Sequence, residues 1–256
     1  MTQTVVIQSY RTDNVPQWID LCQASVRDWA ATRGWEYRFV GDEILDLVPD
    51  WYQQHAQGRM PVITDLGRLI LARETLQAGA PAVVWVDADV MVFDADHFIL
   101  DIAEDYAFCR EIWVQPVTGG GFKVYRNVHN AVCLFRQGNP MLDFYIHACE
   151  SVMKRVQTGT AGGVPNQIVG TKLLTAMHNI VGFPLLNDVG MASPLVLRDL
   201  AAGGGVALDR LKAESASPLK AANLCSSLVG QTVDGVEIDQ SSMMQVCEAL
   251  AAGALT

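Results

Sequence analysis

No apolar run in this chain approaches the roughly 20 residues needed to cross a bilayer, so nothing in the 256 residues predicts a transmembrane segment. The opening stretch, Met1 to Asp13, has no basic n-region, and its apolar run Val5 to Ile7 is too short for a signal peptide, which predicts a soluble, cytoplasmic protein. Basic residues are scarce, 18 Lys and Arg against 28 Asp and Glu, for a formal net charge of -10. That excludes general electrostatic attraction to nucleic acid or to an anionic membrane. A polyanionic ligand must instead be met by local devices: a few Arg or Lys side chains, helix N-termini or a divalent cation. The six cysteines (Cys22, Cys109, Cys133, Cys149, Cys225 and Cys247) lack CxxC or CxH spacing, so neither a zinc site nor a disulfide scaffold is expected.

Half of the residues are hydrophobic, enough for one sizeable core in one enzyme-sized unit. Val5 to Ile7 reads as a buried strand running into the loop Ser9-Tyr10-Arg11. Asn14 is placed to cap a helix with Pro16 in its first turn, and Trp18, Leu21, Cys22, Val26 and Trp29 recur on one face. Gly34 stops that helix and Tyr37 to Val40 returns as a strand, giving the β-α-β opening of a sheet built from crossovers. A second helix is predicted from Thr64 or Asp65 to Leu76, ended by Gly79 and Pro81, followed by the apolar strand Ala82 to Val86. Further on, Gly119 to Gly121 reads as a flexible loop, Ala131 to Phe135 as a strand and Pro140 to Met153 as a helix. Gly159 to Pro165 reads as a small-residue loop, Asn166 to Met177 as a helix, and Ser241 to Ala252 as a closing helix.

The segment with chemistry is Val83-Val84-Trp85-Val86-Asp87-Ala88-Asp89, two carboxylates at the carboxyl end of a buried strand. Ligands of open α/β sheets collect at that edge. Carboxylates so close repel unless a positive charge lies between them, and Mg²⁺ or Mn²⁺ on a diphosphate supplies it. Such an ion neutralises charge on a departing nucleotide diphosphate. Asp is also common in solvated turns at strand ends, which is the plainer explanation of the pair.

With those residues in view, the chain resembles the glycosyltransferase A-type (GT-A) fold, especially family-8-like enzymes whose strand-end DxD motif binds metal and nucleotide sugar. The resemblance covers roughly the first 190 residues in order of elements. It implies an α/β fold with a Rossmann-like, mixed and mostly parallel sheet flanked by helices, in a single domain over 1-256. Within it, 1-115 would be the nucleotide-binding half, 116-200 the acceptor and sugar-pocket half, and 201-256 a C-terminal cover. It further implies that Ser9, Tyr10 and Arg11 cradle base and ribose, that Asp65 and Arg68 face the nucleotide or sugar, and that Asp87 and Asp89 bind Mn²⁺ or Mg²⁺. His129-Asn130-Ala131 is similar to the segment in which an Asn lines the donor-sugar pocket, and Asn166-Gln167 to an acidic residue and Gln near the reacting sugar. Phe183-Pro184-Leu185-Leu186-Asn187 is similar to a later segment of the family.

Two departures stand out. The family places a metal-binding His far downstream, but no His follows His178 here, which leaves Asp188, water or diphosphate to complete the shell. Asn166 also replaces the expected acid. The implied activity is transfer of a sugar from a nucleotide-diphosphate sugar to an acceptor hydroxyl, with retention. One alternative is a haloacid-dehalogenase-like phosphatase, in which the first Asp of DxD is the nucleophile and the second an acid/base. That family places Thr or Val where Met91 stands and starts its motif near the N-terminus. The other is a non-catalytic nucleotide-sugar-binding protein on the same fold.

Overall fold

The opening unit in the computed structural model, which describes residues 3-156 and 163-255, follows the hydrophobic periodicity. β1 (Val5–Ser9) is buried over its first four residues, and α1 (Gln17–Thr32) turns Trp18, Cys22, Val26 and Trp29 inward. β2 (Glu36–Val40) then pairs parallel to β1. Two details differ from the sequence expectation. Asn14 does not cap α1: it adopts φ 52 ahead of Pro16, the N-cap residue, a left-handed conformation that Asn tolerates better than most. Leu21 is 39% exposed, because it falls to the side of the inward stripe.

A 3-10 helix (Asp42–Leu47) and α2 (Asp50–Ala56) lead to α3 (Met60–Gln77). α3 starts a turn before the predicted Thr64, with Pro61 in its first turn, where a missing N–H costs nothing. It is buried almost continuously from Val62 to Leu76 and packs against β3 (Ala82–Val86). The chain then leaves for β4 (Val90–Val92) and returns as the long hairpin of β5 (Tyr106–Pro116) and β6 (Phe122–Arg136). The predicted strand Ala131 to Phe135 is only the fully buried end of β6; its outer half mixes Phe122, Val124 and Tyr125 with Lys123, Arg126 and Asn127, neither a continuous apolar run nor a strict alternation. Gly119 to Gly121 form the hairpin turn, all at φ between +88 and +100, with Val117 N donating to Gly121 O at 3.2 Å. Only glycine occupies that region three times running without a Cβ penalty.

The remaining elements are α4 (Met141–Arg155), α5 (Thr171–Val181), β7 (Leu185–Leu186), β8 (Val189–Met191), α6 (Pro194–Ala201), α7 (Val206–Glu214), β9 (Ala221–Asn223), the hairpin β10 (Gln231–Val233) and β11 (Val236–Ile238), and α8 (Gln240–Ala251). Residues 159-162 of the small-residue segment lie outside the described residues. The helix expected from Asn166 begins only at Thr171: residues 166-170 form a turn, with Ile168 N donating to Pro165 O at 3.1 Å, so Asn166 caps nothing.

The main sheet has six strands in the order β2-β1-β3-β6-β5-β7. Its parallel pairs are β1 with β2, β1 with β3 and β5 with β7, while β6 runs antiparallel to both β3 and β5. This is the mixed, mostly parallel α/β sheet that the sequence implied. A second sheet, β4-β9-β8, stacks strands from distant parts of the chain beside the first. One core fills the space between α3, α4 and the sheet, and another is built by α1, α6, α7 and α8 against β5 and β6. Among the described residues no helix is long and apolar enough to cross a membrane.

Candidate active site

A cavity of about 670 Å³ lies at the carboxyl ends of β1 and β3, where Ser9, Tyr10 and Arg11 meet Asp87, Ala88 and Asp89. The two aspartates are brought together by a turn and not by strand alternation. Asp87 N still donates to Ala131 O of β6 at 2.7 Å, but Val90 N folds back onto Asp87 O at 3.1 Å and the chain crosses into the second sheet. The buried Gln8 side chain pins the same turn, its Nε2 donating to Asp87 O at 3.0 Å.

Each carboxylate is held by different elements. Asp87 Oδ1 accepts from Arg68 Nη1 and from Trp85 Nε1, both at 2.7 Å, while 24% of its side chain stays exposed. Asp87 Oδ2 accepts no hydrogen bond among the described residues. Arg68 is fully engaged: Nη1 also donates to Asn130 O at 3.0 Å, Nη2 pairs with Asp65 Oδ1 at 3.1 Å, and Nε donates to Thr64 O at 3.3 Å. Its guanidinium lies 5.0 Å from the Trp85 ring centroid. The fork that the sequence offered to a phosphate thus grips the protein's own carboxylates and carbonyls, while Arg68 still lines the cavity. Asp65 does not face the ligand space. It is buried behind Arg68 and accepts from Asn130 Nδ2 at 2.8 Å, so it orients both partners without lining the cavity. Gly170 leaves room for this cluster, since a Cβ there would stand 2.9 Å from Asp65 Oδ2.

Burial raises the Asp87 carboxyl to about 7; Arg68 opposes the rise, and the charge of Asp89 adds to it. Burial raises Asp65 as well, against the pull of Arg68.

Asp89 is held by neutral donors from the far end of the chain. Asn223 Nδ2 donates to its Oδ1 at 2.8 Å and Ser226 N to its Oδ2 at 2.7 Å, while Leu224 N bonds its main-chain O at 2.9 Å. Asn223 Oδ1 accepts from Cys225 N at 2.8 Å, closing a turn in which Cys225 adopts φ 53. Segment 201-256, expected only as a cover, thus enters the site through β9. Sequence reasoning missed Asn223 and Ser226; the one available signal was Asn-Leu-Cys-Ser-Ser, a turn-forming composition directly after an apolar pair.

The other expected residues divide. Ser9, Tyr10, Arg11, Asn130 and Gln167 line the cavity, and Arg11 lies 5.2 Å from the Tyr10 ring centroid. Asn166 is exposed and does not line it, because the turn at 166-170 sends consecutive side chains in different directions. Asp188, considered as a third ligand, does not line it. His178 packs edge-on against Phe183 with ring centroids 4.9 Å apart. Phe183 to Asn187 serves the sheet edge through β7. Glu111 and Trp113, both unanticipated, and His129, the residue before Asn130, line the wall formed by β5 and β6. His129 is buried, and burial pushes its imidazole down to about 3, against the pull of a hydrogen bond with the Val189 backbone.

Among the described residues no group of three or more His, Cys, Asp or Glu side chains could hold a metal. Asp87 and Asp89 nevertheless fit a divalent ion of the kind that keeps water and substrate oxygens. Two protein carboxylates then suffice, and the free Asp87 Oδ2 and the mutual repulsion of the pair are what a cation would satisfy.

No family model matches the chain, and no curated protein matches it in sequence. Among solved structures it is similar to a glycosyltransferase involved in glycosylation of the major capsid of PBCV-1, with a TM-score of 0.48 and 11% identity over 95% of this chain and 98% of that one. It is also similar to mouse xyloside xylosyltransferase 1, with a TM-score of 0.46 and 11% identity over 89% and 99% of the two chains. A glycosyltransferase from Streptococcus pneumoniae gives a TM-score of 0.42 and 11% identity over 98% of this chain and 63% of that one.

Proposed function

We propose that the chain is a metal-dependent glycosyltransferase that moves a sugar from a nucleotide-diphosphate sugar to an acceptor hydroxyl with retention. The observation that carries this reading is the pair Asp87 and Asp89 on one turn at the carboxyl edge of the sheet. Each is anchored independently, and both line a cavity of about 670 Å³. Asp87 and Asp89 would hold Mn²⁺ or Mg²⁺, which when bound neutralises charge on the departing diphosphate.

The chain's own residues have separable roles in this reading. Arg68 and Trp85 fix the Asp87 carboxylate through Oδ1 and leave Oδ2 for the ion. Asn223 and the Ser226 amide fix Asp89. Ser9, Tyr10 and Arg11 take base and ribose, Arg11 being an exposed cation at the mouth of the cavity. Asn130 and Gln167 face the donor sugar; the Gln167 amide oxygen stabilises positive charge growing at the anomeric carbon, which is how a neutral side chain serves a retaining transfer. Asn166, outside the cavity, is dropped from the catalytic set.

The test is a thermal-shift screen of nucleoside diphosphates and nucleotide sugars with and without Mn²⁺, because a ligand of the native state raises Tm without any acceptor. A Mn²⁺-dependent shift with one nucleotide class, lost in Asp87→Asn, is expected. Absence of any shift, together with turnover of phosphate monoesters, would replace this reading with the phosphatase. Metal-dependent binding with no sugar released or transferred would make the chain a binding protein.

A further inference from the structure

The cavity wall formed by β5 and β6 carries a carboxyl group that the proposed donor chemistry does not use. Glu111 is 5% exposed and lines the cavity, and among the described residues its one hydrogen bond is from Asn127 Nδ2 to Oε1 at 2.6 Å. No Lys or Arg pairs with it there. Burial raises its carboxyl, and an acid left with one amide donor wants further hydrogen-bond donors from whatever fills the cavity. A diphosphate has none to give and is repelled.

The hairpin register extends this point into a track. Glu111 faces Asn127 across the strands, Trp113 faces Tyr125, and Gln115 faces Lys123. Directly opposed residues of an antiparallel pair share a face, and the alternate residues Ile112 and Val114 are committed to the core beneath. The outward face therefore reads, from cavity to hairpin tip, carboxylate with amide, indole with phenol, amide with ammonium. Trp113 lines the cavity, Tyr125 is 37% exposed, and Lys123 Nζ lies 4.4 Å from the Tyr125 ring centroid. From Glu111 to Gln115 the track runs about 13 Å at the usual rise per residue. Aromatic faces meet the C–H faces of a pyranose, and carboxylate and amide groups meet its hydroxyl edge.

Resting on the transferase reading above, we infer that this face of the β5–β6 hairpin is the acceptor subsite and that the acceptor is itself a carbohydrate. Glu111 takes hydroxyl hydrogen bonds at its inner end, and Trp113 and Tyr125 stack on sugar rings farther out.

Saturation-transfer NMR on the full chain tests this with methyl glycosides of common hexoses and pentoses and their disaccharides, each with and without nucleoside diphosphate and Mn²⁺. At least one saccharide should bind, and Trp113→Ala should weaken it about tenfold, the change that about 1.4 kcal/mol of lost contact produces. Glu111→Gln, which keeps an acceptor for Asn127, should weaken it as well, and Trp113→Phe should restore part of the loss. Tyr125→Ala, at a position 37% exposed and farther from the cavity, should weaken disaccharides more than monosaccharides. The inference is overturned if no saccharide binds, or if binding survives both Trp113→Ala and Tyr125→Ala unchanged. It is also overturned if Trp113→Ala abolishes the nucleotide thermal shift, since the wall would then stack the base. Saccharide binding without any nucleotide shift would sink the transferase reading and with it the acceptor role, leaving only a saccharide-binding face; nucleotide binding without saccharide binding would sink this inference alone.

Discussion

Asp87 and Asp89 are separated by one residue yet belong to two differently built regions. On the sheet side, Asp87 sits in a closed charged network of Asp65, Arg68, Trp85 and Asn130, supplied by α3, β3 and β6. On the other side, Asp89 is gripped by a side-chain amide and a backbone N–H from the turn after β9. The first arrangement fixes a carboxylate with an opposite charge, which is strong but leaves a buried acid beside another acid. The second uses dipoles alone and adds no net charge to a site proposed to accept a cation. The charged network sets the position of Asp87 without occupying Oδ2, and the neutral turn ties the distant C-terminal segment to the site.

Removing the cation of the first region should have the largest effect. Arg68→Met leaves Asp65 and Asp87 without their partner and should cost about 3–5 kcal/mol of stability, read by urea denaturation. A loss below 1 kcal/mol would show that the network is not what fixes the sheet side. Asn223→Ala, on the neutral side, should cost about 1.5–3 kcal/mol, the range for a hydrogen bond to a charged group, and should weaken Mn²⁺-dependent nucleotide binding because Asp89 loses its orientation. Equal losses in the two variants would erase the distinction between the regions.

The sheet side also carries His129, whose imidazole is pushed down to about 3 by burial. The unfolded chain takes up a proton on this residue near the ordinary value of about 6.5, whereas the folded chain does not. The His129 contribution to stability should therefore be lost as pH drops from about 6.5 toward 3, by up to about 1.4 kcal/mol per pH unit, against the opposite contribution of Asp87, whose carboxyl is raised to about 7 and favours the folded state as it protonates; His129→Gln should remove the first part and leave stability rising on mild acidification. The smallest expected effect on stability is at the exposed neighbours Asn166 and Gln167, where Ala should stay within about 0.5 kcal/mol. Donor turnover should fall in Gln167→Ala and stay unchanged in Asn166→Ala; loss in both would return Asn166 to the site.

The elements legible in the sequence were those whose signal is local. Trp18, Cys22, Val26 and Trp29 announce α1 by period, and the five apolar residues before Asp87 announce β3. The long hairpin was legible only at its buried end, because its outer half mixes apolar, charged and amide residues without a continuous apolar run or a strict alternation. Asp65 and Arg68 were found, but not how they divide: three residues apart on a helix, they looked like two side chains facing a ligand, whereas Arg68 lines the cavity and Asp65 supports it from behind.

By itself, the sequence determined where a buried strand must stop and that two carboxylates stand at its end, since apolar runs and charge breaks are properties of adjacent residues. Only the tertiary structure decided which groups hold those carboxylates. Asn223 and Ser226 lie more than 130 residues away from Asp89 along the chain. No local pattern encodes that approach, which follows from β9 pairing with β4.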